Sequence, residues 1–346
     1  MNDTHDKTPR STNRRRIRSM RPMRAKLIFN PSAGATSGSS ADIVDVLHEM
    51  QAWKLVSEVF LIEDGCDLTG AIRAALAQDI RLFVVCGGDG TISAVAGLLA
   101  GTKATLGILP NGTRNNVALS LGIPAELPAA VALLRTGRRI KVDVGMATYA
   151  GSSSTGGETT TPFLEVCSVG LGSALFASAD DVQHGNLGRV GDFLATLVSS
   201  PPAEIHLVLD DKREVSALGH VVMVSNMPYF GPHYQADSAA SFNDGLLEVL
   251  FFADLSKLAL LGHIIKGAGT EASEDPRIQH YRVRRVDIDT QPAMPIMVDG
   301  NALGEGRVSV EVRPRALTVL VNKSAPPTPS ESESDATSGT QTHATA

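Results

Sequence analysis

Residues 81–91, Arg-Leu-Phe-Val-Val-Cys-Gly-Gly-Asp-Gly-Thr, constrain the fold of this chain more than any other stretch. Leu82 to Cys86 is apolar and rich in β-branched residues, the pattern of a strand covered on both faces in a parallel sheet. It runs straight into Gly87, Gly88, Asp89, Gly90 and Thr91, after which Ile92, Val95, Ala96 and Leu99 recur at helical spacing. A strand, a glycine turn and a helix in this order predict a backbone that takes positive φ and comes close to a ligand. The first N–H groups of the helix then point at an anion. Asp89 sits badly in a pure phosphate cradle, because a bare carboxylate repels phosphate. A divalent cation between the two would resolve this. Taken alone, the turn reads rather as a tight turn with an Asp that caps the helix, so the rest of the chain decides.

The flanking segments extend the pattern. Ala25 to Phe29 reads as a first strand ending in Asn30-Pro31-Ser32-Ala33-Gly34. A helix follows with Ile43, Val46, Leu47 and Met50 on one face and Ser39 or Ser40 as N-cap. Ser57 to Ile62 is a second strand, and Asp67 caps a helix that turns Leu68, Ile72, Ala75 and Leu76 inward. Thr105 to Leu109 is a fourth strand running into Pro110-Asn111-Gly112-Thr113. This alternation predicts an α/β domain over residues 25–140, a parallel sheet with helices on both faces. Ligands of such sheets sit beyond the carboxyl ends of the strands, where Asn30, the 87–91 turn and the 110–113 turn converge.

From about Arg138 short strands separated by turn signals take over: 140–148, 162–170, 204–210, 220–226, 246–252, 282–290, 295–300, 307–312 and 317–322. They predict an antiparallel β-sandwich over residues 141–310, with the strand 311–321 returning to the first domain. Helices are expected at 191–199 and 255–267, and a low-complexity hairpin tip at 151–161.

With 346 residues the chain has room for two cores, and its mean hydropathy of +0.04 is that of a globular protein. Its apolar runs are too short or too interrupted to span a bilayer, and no apolar core follows the N-terminal arginines as in a secretory signal. Cys66, Cys86 and Cys167 lack metal-ligand spacing, which fits a reducing, cytoplasmic setting. Residues 1–24 carry Lys7 and seven arginines against Asp3 and Asp6, so the body is more acidic than the net charge of −6. An acidic body argues against nucleic-acid binding. The basic arm, 1–24, and the polar tail, 322–346, have little to bury and are expected to be disordered, although such an arm can touch an anionic membrane.

These residues resemble the diacylglycerol kinase catalytic family, which includes bacterial lipid kinases and sphingosine kinases. The resemblance rests on ordered motifs: NPSAG at 30–34, GGDGT at 87–91, LPNGTRNNVALSLGIP at 109–124, VDVG at 142–145, SNMPYFG at 225–231, NDGLLEV at 243–249 and VDG at 298–300. It implies a nucleotide-binding α/β domain followed by a β-sandwich, with the active site between them and ATP and Mg²⁺ as cofactors. Carried over by position, Asn30, Gly87, Gly88, Asp89, Gly90, Thr91, Ile92 and Thr113 would contact ATP. Asp89 would share a magnesium–water network with Asp143. Asp244, with Ser241 and Leu246, would hold a structural Mg²⁺, and Asp299 would be the general base. The implied reaction is transfer of the γ-phosphate to a hydroxyl of diacylglycerol or a related lipid at the membrane surface. A homodimer is compatible with it.

The chain departs from the family pattern at several positions. Asn301 stands where Glu is usual in the Asp-Gly-Glu turn, and Glu305 is close enough in sequence to substitute. The common Asn-Asp of the PxGTxND block is Asn115-Asn116, and Ala94 replaces a frequent Glu. An apolar groove near Asp299 would accommodate the acyl chain, with Phe163, Leu171, Phe176, Phe193 and Phe230 as lining candidates, most of which read rather as ordinary core. Two other readings share the GGDGT turn: a NAD kinase, and a nucleotide-binding protein without catalysis, to which Asn301 points.

Overall fold

The computed structural model describes residues 20–34, 42–150, 157–171, 201–227, 229–230, 234–235, 241–255 and 277–323. The expected helix at 191–199, that at 255–267 beyond Leu255, the basic arm up to residue 19, the tail from 324, and Phe176 and Phe193 lie outside these residues. So does the side chain of Phe230.

The first half alternates as its sequence predicts: β1 (Met23–Phe29), α1 (Ile43–Ala52), β2 (Leu55–Leu61), α2 (Leu68–Ala77), β3 (Leu82–Gly87), α3 (Asp89–Leu99), β4 (Thr105–Pro110), the short α4 (Asn116–Ser120) and α5 (Leu127–Thr136). Strands β2, β1, β3 and β4 lie side by side and parallel. The period of two along β3 splits its apolar residues between two cores. Phe83 and Val85 pack with Ile72, Val95, Leu99 and Val117 of α2, α3 and α4. Leu82, Val84 and Cys86 pack with Val46, Met50, Val131 and Leu134 of α1 and α5. Helices therefore cover both faces. The N-cap of α1 is Asp42, whose side chain accepts from Val44 N, and neither expected serine takes that place. Asp67 caps α2 by accepting from Gly70 N at 2.8 Å.

The second half is antiparallel: β5 (Arg138–Ala150), β6 (Glu158–Phe163), β7 (Val166–Gly170), β8 (Ala203–Leu209), β9 (Arg213–Ser225), β10 (Tyr229–Phe230), β11 (Tyr234–Gln235), β12 (Leu247–Ala253), β13 (Ile278–Val283), β14 (Arg285–Gln291), β15 (Pro295–Val298), β16 (Asn301–Glu305) and β17 (Val308–Val321). The first half of β9 pairs with β8, and its second half lies between β7 and β12, so one strand serves both layers of the sandwich. The core between them contains Phe163, Val169, Ile205, Val222, Phe251, Ile288, Ile296 and Val310.

Three details differ from the sequence reading. The apolar run 162–170 is two strands, broken at Leu164–Glu165. The run 282–290 is likewise broken at Arg284. Conversely, 307–312 and 317–322 belong to one long strand, β17, which follows β5 along both domains across a register shift between Arg313 and Leu317. The end of β17 also pairs parallel with β4, through Thr318↔Thr105 and Val319↔Leu106. The α/β layer and the sandwich thus share a strand, and α3 lies directly on β6, where a Cβ on Gly97 would stand 2.0 Å from Pro162 Cγ. This close contact sets α3, with the glycine turn at its start, against the second domain.

Phe163 is fully buried, and its ring fills the space a Cβ on Gly145 would need. It is core and not a groove wall, as is the buried Leu171. Phe163→Ala should therefore cost about 3–5 kcal/mol of stability, read as a lower denaturant midpoint. An unchanged midpoint would place the ring outside the core.

Candidate active site

The glycine turn is shaped by close approach rather than by positive φ. None of Gly87, Gly88 and Gly90 has a positive φ. Instead, a Cβ on Gly112 would lie 2.6 Å from Gly88 Cα, so the 87–91 and 110–113 loops touch backbone to backbone. The second loop is closed on itself by Asn115, in the left-handed region, whose amide accepts from Gly112 N and donates to Gly112 O, both at 2.8 Å. From the other side Asn30 Nδ2 donates to Thr91 Oγ1 at 2.8 Å, while Asn30 Oδ1 accepts from Ser32 N. The structure thus brings Asn30, Gly87, Gly88, Gly90 and Thr91 together. Thr113 is exposed in the neighbouring loop. Ile92 differs from expectation: its side chain is fully buried and its N–H is used on Gly88 O. Asp89, Gly90 and Thr91 open α3, where a helix leaves main-chain N–H groups without intrahelical partners.

Asp89 does not cap its own helix. Its Oδ1 accepts from Val117 N and its Oδ2 from Asn116 N, both at 3.1 Å, so it receives the start of α4. Burial pushes its pKa up against the pull of these amides. Asp143 has different partners: Gly245 N donates to its Oδ2 at 2.7 Å and Arg315 N to its Oδ1 at 2.6 Å. It is 1 % exposed and clasps the 241–246 loop to the irregular segment of β17. Among the described residues, Asp89 and Asp143 have no hydrogen-bond partner in common.

Asp299 occupies the tight turn between β15 and β16, with positive φ at both Asp299 and Gly300. Its side chain reaches into the break between β6 and β7. Glu165 N (3.1 Å) and Val166 N (2.8 Å) donate to Oδ1, and Leu164 N (3.0 Å) donates to Oδ2. A fourth donor, the Ser93 hydroxyl of α3, also bonds Oδ2. The break is itself held from behind: Asn226 N and Ser225 Oγ donate to Glu165 O, and Asn226 Nδ2 to Leu164 O. Burial raises the Asp299 pKa, the four donors opposing it.

Two residues that the sequence reading passed over, Ser93 and Glu165, complete the site. Ser93 links the base candidate to the nucleotide-side helix. Glu165 accepts from Asn116 Nδ2 at 2.5 Å, and Asn116 is one of the departures from the family pattern. Burial, then the negative charges of Asp89 and Asp299, push the Glu165 carboxyl up to about 8. A signal for Glu165 existed in the sequence, a lone charge inside the apolar run 162–170, but a continuous strand gave it no role. Glu305, offered above as a stand-in for the Glu missing at 301, pairs with Pro295 at the open end of the hairpin and cannot reach the turn. Asn301 itself faces the glycine turn, 3.6 Å from where a Cβ on Gly90 would be.

The loop of Asp244 answers the expected structural Mg²⁺ differently. Arg282 Nη2 lies 2.7 Å from Asp244 Oδ2, and Leu246 N donates to Oδ1 at 3.0 Å. Ser241 Oγ donates to Asn243 Oδ1. The same guanidinium reaches the buried Glu248, with Nε at 3.0 Å from Oε1, and His280 Nε2 stands 2.6 Å from Oε2. A divalent ion on Asp244 would have to share it with a guanidinium already paired to it, so this carboxylate fits poorly as a principal metal ligand. Among the described residues no group of three or more His, Cys, Asp or Glu is arranged to hold a metal.

Two expectations follow. Arg282→Met leaves a buried carboxylate without its cation and should cost about 3 kcal/mol. Chelation should leave the wild-type melting temperature in place, and a drop on adding chelator would show that an ion holds this loop after all. Glu165 sets the second. In the unfolded chain its carboxyl titrates near 4.5 and in the folded chain near about 8, so the unfolded state sheds its proton first and stability falls as pH rises through that window. Glu165→Gln should flatten the fall in melting temperature between about pH 5 and 8. Parallel curves would remove Glu165 from that titration.

Residues 24–147 match the diacylglycerol kinase catalytic domain, and residues 166–321 the YegS C-terminal NAD kinase beta sandwich-like domain. A diacylglycerol kinase of Mycobacterium tuberculosis is 29% identical over 263 residues, covering 74% of this chain and 82% of that protein. A diacylglycerol kinase of Staphylococcus carnosus is 25% identical over 289 residues, 82% of this chain and 90% of that one. The crystal structure of a diacylglycerol kinase from Bacillus anthracis shares the fold, with a TM-score of 0.65 at 21% identity over 88% of this chain and 98% of that one. With an α/β layer carrying the glycine turn and a β-sandwich carrying Asp299, the chain belongs to the diacylglycerol kinase catalytic family, and it is a kinase.

Proposed function

We propose that the chain transfers the γ-phosphoryl group of ATP to the hydroxyl of diacylglycerol or a related lipid alcohol, with Asp299 as general base. The observation that carries this reading is the hydrogen bond from Ser93 to Asp299, which ties the base candidate to the helix that begins at the glycine turn. A phosphate laid on the start of α3 would meet the N–H groups of Asp89, Gly90 and Thr91. The site would then hold donor phosphate and base side by side, and phosphoryl transfer depends chiefly on such positioning.

The chemistry balances simply. The acceptor oxygen bonds the γ-phosphorus as its proton passes to Asp299, the bond from that phosphorus to the β,γ-bridging oxygen breaks, and ADP leaves. Asp299 later returns its proton to water. A carboxylate has about four lone-pair positions, and here all four have donors. Three of those donors are main-chain amides, whereas Ser93 presents a hydroxyl that can rotate away. The acceptor hydroxyl takes the place of Ser93 at Oδ2. A pKa raised by burial makes Asp299 a better proton acceptor than a solvated aspartate.

Asp89 is the carboxylate that fits a Mg²⁺ accompanying ATP, since it stands at the start of α3 and its partners Asn116 and Val117 bond different oxygens of it. That ion would offset phosphate charge. Asp143, almost without exposure and turned to Gly245 and Arg315, serves the frame of the site instead. Among the described residues no helix is long and apolar enough to cross a membrane, so the lipid would be met at a bilayer surface.

The test is transfer of radiolabelled γ-phosphate from Mg-ATP to diacylglycerol in mixed micelles, to other lipid alcohols and to NAD, with Asp299→Asn beside the wild type. Label in a lipid, with kcat lowered about 10³-fold in Asp299→Asn, is the expected result. Label in NAD would make the chain a NAD kinase. ATP binding without transfer would leave a nucleotide binder.

A further inference from the structure

Asn116 and Glu165 stand in unusual relation to the two acids of the site. The main-chain N–H of Asn116 donates to Asp89 Oδ2 at 3.1 Å, and that of Glu165 donates to Asp299 Oδ1 at 3.1 Å. Their side chains meet each other, Asn116 Nδ2 donating to Glu165 Oε1 at 2.5 Å. One residue belongs to α4 of the first domain and the other to the β6–β7 break of the second. An unbroken chain of hydrogen bonds therefore runs from Asp89 through Asn116 and Glu165 to Asp299.

We infer that Asn116 and Glu165 are a positioning pair that keeps the nucleotide-side acid and the base in register across the cleft, Glu165 supplying from the second domain the carboxylate that the PxGTxND block carries at position 116. The chemistry of the pair demands one amide and one carboxyl. An amide can donate to a carboxylate, whereas two carboxylates at 2.5 Å must share a proton or separate. The amide at 116 and the acid at 165 are thus two halves of one exchange, legible only in space. An incidental side-chain contact would not also place both residues' own amides on the two acids. The inference rests on Asp299 being the base, as proposed above.

The experiment is a polarity swap on the full-length protein, reading kcat, KM for ATP and melting temperature. Asn116→Asp sets a second carboxyl against Glu165, so the pair must share a proton or separate, and kcat should fall at least about tenfold, beyond what any change in melting temperature accounts for. Glu165→Gln keeps a carbonyl oxygen for Asn116 and should cost much less. In the double variant, Asn116→Asp with Glu165→Gln, the carboxylate now on α4 accepts from the amide now in the β6–β7 break. Most of the lost kcat should then return, a coupling of at least about tenfold. Wild-type activity in Asn116→Asp, or a double variant no better than the product of the two singles, would overturn the inference. So would losses that follow melting temperature alone. Asp299→Asn is run in parallel: if it keeps full activity, the base assignment fails, and the swap still reports on the pair.

Discussion

The structure of the site depends on the capture of one carboxylate by a broken strand. Where β6 gives way to β7, successive main-chain N–H groups at 164–166 lose their place in a regular ladder, and buried amides without partners are costly. Asp299 satisfies them from a hairpin turn far along the sequence. The same side chain then reaches Ser93 on α3. One acid thus closes a defect in the sandwich and connects it to the nucleotide-side layer. Structural and catalytic readings of Asp299 do not compete: the interaction that fixes the turn also brings Oδ2 to Ser93 on the nucleotide-side helix.

The other acids follow the same rule with different results. Asp89 takes the start of α4, and Asp143 takes one amide from the 241–246 loop and one from the β17 irregularity, so each organises a loop through N–H groups. What separates them is access. Asp143 is sealed in, while Asp89 opens α3 beside the glycine turn. Asp89, Glu165 and Asp299 together put three acids within electrostatic reach, and burial raises all three carboxyls, that of Glu165 to about 8. Burial and like charge limit how many ionised groups such a cleft can hold.

Local signals in the sequence were enough for the parallel layer. The β3 run, the glycines after it and the helical spacing beyond them are all short-range, and they placed the converging loops correctly. What stayed hidden was set by contacts between distant residues. Nothing in Phe163-Leu164-Glu165-Val166 marks a break, because its cause, the Asp299 turn, lies more than a hundred residues away. Arg284 interrupts its strand for a similar reason: Asp210 Oδ1 accepts its N–H at 2.8 Å. The gap between 307–312 and 317–322 reads as a strand end, but β5 continues past it as a partner and β17 absorbs it as a register shift. The glycine turn stands between strand and helix as its residues predict, but without the positive φ expected of them, since loop-to-loop contact excludes the side chains while φ stays negative.

The departures from the family pattern gain sense when counted by charge in space instead of by position. Asn116 gives up a carboxylate, and Glu165 returns one against the same amide. Asp244 keeps its carboxylate, with Arg282 in place to compensate it. Asn301 has no such replacement, because Glu305 lies at the far end of its hairpin. With Asp89, Glu165 and Asp299 already close together, a further Glu beside Gly90 would add like charge where a triphosphate has to approach. A neutral amide there adds no charge to the acids already present. Substitutions that look independent along the chain are then one redistribution of charge over a cleft that can accept only a few ionised acids.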